Sequence, residues 1–356
     1  MLRSVPSAVA LAAALVLLAP ATARAAGTVP EEDREAVTAT APVASPSRRT
    51  AFKYEVSWDG IPKTTRKFDA WIPLPVEDID QEIDDLVVQS AGGGTMSSDA
   101  VHGNRIYHGS SGPRGGVPFN VVVRFIVERR EVKSGDLSRM PAIPPDAPAN
   151  LSDYLESSPL LRIDGKLRAA ANKAVGRQKE VPAQAHAIYD WILANVSLSE
   201  EGPGRADGEI EQVMARKSGN SLDIATAFVG LARAAGIPAR TVLGFKLPEE
   251  QQKGFLQGYH AWAEFWLPGR GWIPVDPASA MKMTSRKDYY FGNLDEHRIR
   301  YSHGRGVNLV PRQSAEPLSF LFYPYAEADG TAFGGSGYRF SFLPAPEPPT
   351  DGKAGL

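Results

Sequence analysis

Hydrophobic positions change their period twice along this chain. Between Phe52 and about Arg130 they alternate with polar ones in short runs. Phe52–Trp58, Lys67–Ile72 and Phe119–Val127 each read as strands, with Gly- and Pro-containing turns between them. That spacing predicts a small β-sandwich. From residue 150 to 236 the period lengthens to that of a helix. Ala185, Ile188, Tyr189, Ile192 and Val196 line one face of a segment beginning at Pro182. Leu222, Ala225, Phe228, Val229 and Ala232 do the same after Ser221, until Gly236 offers a left-handed cap and Pro238 blocks continuation. Alternation then returns. It predicts strands at Arg240–Phe245, Tyr259–Leu267, Trp272–Val275, Asn308–Val310, Leu318–Tyr323 and Tyr338–Phe342. The class is α+β.

The two ends read differently. Arg3 precedes the apolar run Ala8–Ala19, and Ala23-Arg24-Ala25 has the small-x-small form of a cleavage site. Residues 1–25 are therefore expected to be a signal peptide cut near Ala25, giving a secreted or periplasmic protein. That run is short for a membrane span and no later stretch is longer, so no transmembrane segment is expected. Residues 26–50 read as a flexible tether, Pro141–Pro148 as a proline-rich connection and 344–356 as a disordered tail. Between them the pattern predicts a sandwich domain over 51–135 and a second domain over 150–343, the latter carrying a C-terminal β extension.

Composition narrows the chemistry. With 356 residues, 43% of them hydrophobic, the chain can bury a substantial core without covalent help. It holds no cysteine, which excludes disulfides, thiolate metal sites and a thiol nucleophile. The formal charge is −2, and −4 once Arg3 and Arg24 leave with the leader, so nucleic acid is not an expected partner. His102, His108, His186, His297 and His303 show no metal-ligand spacing. Asp78-Ile79-Asp80 and Asp84-Asp85 lack the glycine and terminal glutamate of a calcium loop, and read as solvated turns. No metal and no cofactor are expected.

Candidate chemistry gathers in Tyr259–Pro277. Pro268-Gly269 and Gly271 mark a hairpin reversal, which places His260 and Asp276 on one face, diagonal neighbours at most. A carboxylate beside an imidazole fixes its tautomer, as a general base requires. Upstream, Gly219-Asn220-Ser221 opens the apolar helix, where unpaired amides and the helix dipole favour developing negative charge. Ser221, His260 and Asp276 thus form a candidate catalytic triad, with Asn220 and Trp262 as the expected substrate-contacting side chains. Each has a plainer role available: serine as a helix cap, histidine within a strand, aspartate in a turn and tryptophan in the core. Ser279-x-x-Lys282 and Gly219-x-Ser221 are partial matches to other serine-enzyme motifs without their companions.

These residues resemble the transglutaminase-like superfamily, whose core follows the papain-like plan. The carrying segments are Gly219-Asn220-Ser221, Ala232–Arg240, His260-Ala261-Trp262-Ala263-Glu264 and Gly271-Trp272-Ile273-Pro274-Val275-Asp276, spread over about residues 182–280. The resemblance implies an N-terminal β-sandwich-like domain followed by a transglutaminase-like core of helices packed on an antiparallel sheet. Asp288–Asp295 and Phe322–Tyr325 resemble the extension of an exported bacterial branch. In the family a cysteine occupies the position of Ser221. A hydroxyl cannot be stored as an anion in the way a thiolate can, so His260 would have to deprotonate it during attack. The expected function is hydrolysis of an amide (peptide) or ester bond through an acyl-enzyme, the partner being a peptide, a protein or a small acyl substrate. The alternative is a binding or scaffold protein that has lost the nucleophile.

Overall fold

Alternation of buried and half-exposed positions begins earlier than expected, at Ser47, where the predicted tether already belongs to a strand. The computed structural model describes residues 45–113, 116–138, 150–158, 161–199 and 209–346. The expected signal peptide, most of the tether, the Pro141–Pro148 connection and residues 347–356 lie outside that set. The N-terminal region is β-rich. Its strands are Ser47–Trp58 (β1), Phe68–Pro73 (β2), Gln81–Ser90 (β3), Thr95–Ser98 (β4), Arg105–Ser111 (β5), Phe119–Arg130 (β6) and the short Val132–Lys133 (β7). β6 pairs antiparallel with β1 on one side and β3 on the other, while β5 lies between β2 and β4. The two sheets meet through Trp58, Phe68 and Phe119, with ring centroids 5.4–6.1 Å apart.

β3 corrects one expectation. Asp84 and Asp85 are not a solvated turn but part of this strand, at a bulge where Asp85 takes φ 51°. The strand is polar because one face is open to water, and Asp84 pairs with Arg49 of β1 at 2.9 Å. A charged outer face hides the period that sequence reading depends on.

The helical region contains Gly165–Val175 (α1), Val181–Asn195 (α2), Ile210–Arg216 (α3) and Ser221–Ala234 (α4), with two-residue strands Ser197–Leu198 (β8) and Ser218–Gly219 (β9) pairing in parallel. α4 is buried almost all round rather than on one face, because α1, α2 and α3 pack on it from one side and the sheet from the other. That sheet is built from Ala239–Lys246 (β10), His260–Leu267 (β12) and Gly271–Val275 (β13), with Gly254–Leu256 (β11) diverted elsewhere. The helix Pro277–Lys282 (α5) follows, then Asn293–Leu294 (β14) and Arg298–His303 (β15). The sheet order is β13-β12-β10-β15, all antiparallel.

The C-terminal strands are Tyr325–Ala328 (β16), Thr331–Ala332 (β17) and Ser336–Pro344 (β18). They were expected to extend the core domain. Instead β16 pairs with β2, and β18 inserts between β1 and β11, so both N-terminal sheets are completed from the far end of the chain. Phe52 of β1, Phe245 of β10, Tyr301 of β15, Phe322 and Phe340 of β18 then pack in one cluster. The strands expected at Asn308–Val310 and Leu318–Tyr323 do not form; Val307, just before the first segment, bridges to Leu318 of the second. Side chains take over their hydrogen bonding: Gln313 Oε1 accepts from Leu309 N at 2.8 Å, and Pro311 O accepts from Trp71 Nε1 at 2.8 Å.

Candidate active site

α4 starts with a reciprocal cap. Asn220 Oδ1 accepts from Leu222 N at 2.9 Å and Asp223 N at 3.1 Å, while Asp223 Oδ2 accepts from Asn220 N at 3.2 Å. A Cβ on Gly219 would lie 2.4 Å from Asp223 Cβ, so this cap requires glycine there. The capping role considered for Ser221 therefore falls to Asn220. Ser221 is the first helical residue, and its Oγ instead accepts a hydrogen bond from Ala261 N at 3.1 Å.

β12 and β13 form a hairpin with a three-residue loop, registered Ala263↔Val275 through Leu267↔Gly271. Continuing that register sets Asp276 opposite Trp262, diagonal to His260. His260 Nε2 and Asp276 Oδ2 are 2.7 Å apart. A neutral imidazole that donates from Nε2 to the carboxylate keeps Nδ1 as its acceptor. Ser221 and His260 open on the same cleft of about 350 Å³, which Leu198, Gln257, Tyr259 and Lys282 also line. Gly244 pairs with His260 across β10 and β12; a Cβ there would sit 2.0 Å from Ile299 O, so the close approach of β15 depends on this glycine.

Asp276 is fully buried and engaged on both oxygens. Oδ1 accepts from Ser279 N at 2.8 Å and caps α5, while Oδ2 also accepts from Arg298 Nη1 at 2.6 Å. Burial alone would raise its pKa, but the charges of His260 and Arg298 and the His260 hydrogen bond hold it well below the usual carboxylate range. His260 itself is pushed below the ordinary imidazole value, first by burial; Asp276 opposes this, and Arg298 and Lys246 add to it. The ring is thus a neutral acceptor at neutral pH.

Behind Asp276 stands a set of groups that sequence reading missed. Arg298 Nε donates to Asp295 Oδ1 at 3.1 Å, and its Nη2 donates to Ser279 Oγ at 3.1 Å. Lys246 Nζ donates to the same Ser279 Oγ at 3.0 Å, and Tyr290 Oη donates to Asp295 Oδ2 at 3.1 Å. The segment Arg298-Ile299-Arg300-Tyr301 alternates charged and apolar residues, a pattern that reads as a strand with its arginines outward, yet both arginines are buried.

Two expected substrate contacts fare differently. Asn220 lines the cleft, its Nδ2 3.4 Å from Tyr259 Oη. Trp262 does not reach it. The indole is completely buried on the strand face it shares with His260, stacked 6.5 Å from that ring at 23°, with Val132, Leu294 and the Arg298 guanidinium packed against it. It lies beneath the imidazole and is not among the residues lining the cleft. Among the described residues no cluster of histidine and carboxylate side chains has the form of a metal site, and no helix is long and apolar enough to cross a membrane.

A helix whose N-terminus faces a strand histidine, with a carboxylate on the adjoining strand, defines a transglutaminase-like core of the papain-like plan, and this chain carries one. Residues 168–277 match the transglutaminase-like superfamily. The chain is 30% identical over 213 residues to an uncharacterised protein of Haemophilus influenzae, covering 51% of this chain and 58% of that one. It is 40% identical over 77 residues to a protein-glutamine gamma-glutamyltransferase of Pseudomonas aeruginosa, covering 20% of this chain and 12% of the relative. The chain thus spans little more than half of the first relative and a small part of the second. The fold is shared with the crystal structure of a candidate cysteine protease from Cytophaga hutchinsonii, at 17% identity and a TM-score of 0.57, covering 86% of this chain and 94% of that one.

Proposed function

We propose that this protein is an exported hydrolase that cleaves amide or ester bonds through an acyl-enzyme on Ser221. The observation that carries the reading is the shared cleft: Ser221 Oγ is fixed by Ala261 N, the residue beside His260, and His260 is fixed by Asp276. Ser221 Oγ attacks the carbonyl carbon while His260 takes its proton at Nδ1. Collapse of the tetrahedral intermediate expels the amine or alcohol, which leaves with that proton. Water, deprotonated by the same nitrogen, then attacks the acyl group, and the proton returns to Ser221. Asp276 stabilises the imidazolium of each half-reaction. The Ser221 backbone N–H, at the first turn of α4, is a ready donor for the developing oxyanion. Esters suit a serine system because their leaving groups need less protonation than an amine. Relationship to a gamma-glutamyltransferase and to a candidate cysteine protease supports acyl chemistry of this class.

The test is labelling with a fluorophosphonate probe in the intact protein and in Ser221→Ala and His260→Ala. Labelling of the intact protein alone is expected; labelling that persists in Ser221→Ala would remove this serine. A second reading, a binding or scaffold module without turnover, is favoured by the serine standing where the family resemblance implies a cysteine. It forecasts no labelling, and turnover of any amide or ester that His260→Ala abolishes would eliminate it.

A further inference from the structure

The Asp276 carboxylate faces two cations or potential cations at one oxygen. Oδ2 lies 2.7 Å from His260 Nε2 and 2.6 Å from Arg298 Nη1, and both Asp276 and Arg298 are wholly shielded from water. In a catalytic triad the carboxylate orients the imidazole and stabilises the imidazolium. Here a permanent charge on β15 shares it. Arg298 is in turn fixed by Asp295 through Nε and by Ser279 through Nη2, so its position does not depend on His260.

We propose that Arg298 is a positioning residue of this site: it orients the Asp276 carboxylate toward His260 and withholds part of its negative charge from the ring, keeping His260 a neutral general base. That state is what a hydroxyl nucleophile needs, whereas a thiolate–imidazolium pair is served by the opposite tuning. The inference rests on His260 being the base, but it concerns the ring, and the ring is measurable whether or not Ser221 turns over.

The other charges around the ring have to be counted. From β10 comes Lys246, held by Ser279 Oγ, and from α5 comes Lys282 on the cleft wall. Glu249, in the segment after β10, lies in the neighbouring cleft that His260 also lines, and is paired with Arg286. Asp295 and Tyr290 stand behind Arg298, and Tyr189 of α2 is an electrostatic neighbour of Asp276. None of these reaches Asp276 Oδ2 as Arg298 does. Burial and the positive charges of Arg298 and Lys246 together hold the imidazole below its ordinary value against the pull of Asp276.

The experiment is a proton NMR titration of the six histidine rings in the full protein, with His260 assigned by loss of its resonance in His260→Gln. In Arg298→Gln the His260 midpoint should rise by about one pH unit or more, since a full carboxylate then faces the ring. In Asp295→Asn it should fall below that of the parent, because Arg298 has lost its other counter-charge. Arg298→Lys should lie near the parent value. If Arg298→Gln does not fold, Asp295→Asn, nearly isosteric, decides alone. A His260 midpoint unmoved in the variants that fold, or moved in the opposite sense, would overturn the proposal. Absence of turnover with these shifts present would instead count against Ser221 as nucleophile and leave Arg298 in its role.

Discussion

Phe245 offers the most direct test of how the N-terminal sheets and the core hold together. It is completely buried, and its ring lies 5.0 Å from Phe52, 5.2 Å from Tyr301, 4.9 Å from Phe322 and 4.6 Å from Phe340. Its partners come from β1, β15, the segment before β16, and β18, so one side chain touches both ends of the sequence and the middle. Phe245→Ala removes a full aromatic ring from a site whose walls are themselves rings and strands, which collapse poorly. The cost of such a change is about 3–5 kcal/mol, and this setting points to the upper part of that range. Against a total stability of roughly 5–15 kcal/mol the loss is severe. The assay is guanidinium chloride unfolding followed by far- and near-ultraviolet circular dichroism. We expect the two signals to stay coincident and the midpoint to fall with unchanged slope. Phe255→Ala, at a ring that is 64% exposed on β11, serves as the control and should cost well under about 1 kcal/mol. A biphasic transition in which only one phase moves, or a loss below about 1.5 kcal/mol, would refute the shared-core reasoning and restore two independent domains.

Other outcomes follow from the same geometry. Asn220→Ala removes the cap of α4 and should cost about 0.5–2 kcal/mol in thermal or chemical unfolding, with a larger fractional loss of any turnover, because Ser221 is the next residue. Ser221→Cys introduces a lone sulfur at a helix N-terminus, whose dipole favours the thiolate; its alkylation midpoint with iodoacetamide should lie below the ~8.5 of a free cysteine. His260 has a folded value below its unfolded one, so the unfolded state takes up the proton first as pH falls. Stability should therefore be full above about 6.5 and decline on acidification beneath it, with a further loss as Asp276 is finally protonated. The acid limb of kcat/KM should likewise have its midpoint below about 6.5, and a limb at or above that value would contradict a lowered His260.

What could be read from the sequence was local. The three-residue loop between β12 and β13 fixes a register by counting, so the nearness of His260 and Asp276 followed from Pro268-Gly269 and strand parity. The end of α4 at Gly236 and Pro238 was equally local, since only glycine takes the φ of 85° found there at little cost. Relations across long separations were invisible. Nothing near Asp276 announces that Arg298 shares its oxygen, and nothing in the polar run Gln81–Ser90 marks a strand whose outer face is wet. The pairing of β18 with β1 joins segments that each look like generic alternating strands, and alternation carries no address. Trp262 shows the same limit: parity says which face it shares with His260, but not that Val132, Leu294 and the Arg298 guanidinium pack over its ring there.

The placement of β18 also bears on the order in which the protein comes into being. β11 has β18 as its sheet neighbour, and β11 leads directly into Gln257, Gly258 and Tyr259, which form one wall of the cleft. A ribosome delivers β1, α4 and the His260 hairpin long before it delivers Ser336–Pro344. Until that last strand emerges, β1 lacks one flank and the wall of the cleft lacks its anchor. Completion of the site is thereby coupled to completion of the polypeptide through residue 344, and a nascent or prematurely terminated chain is left without a finished cleft.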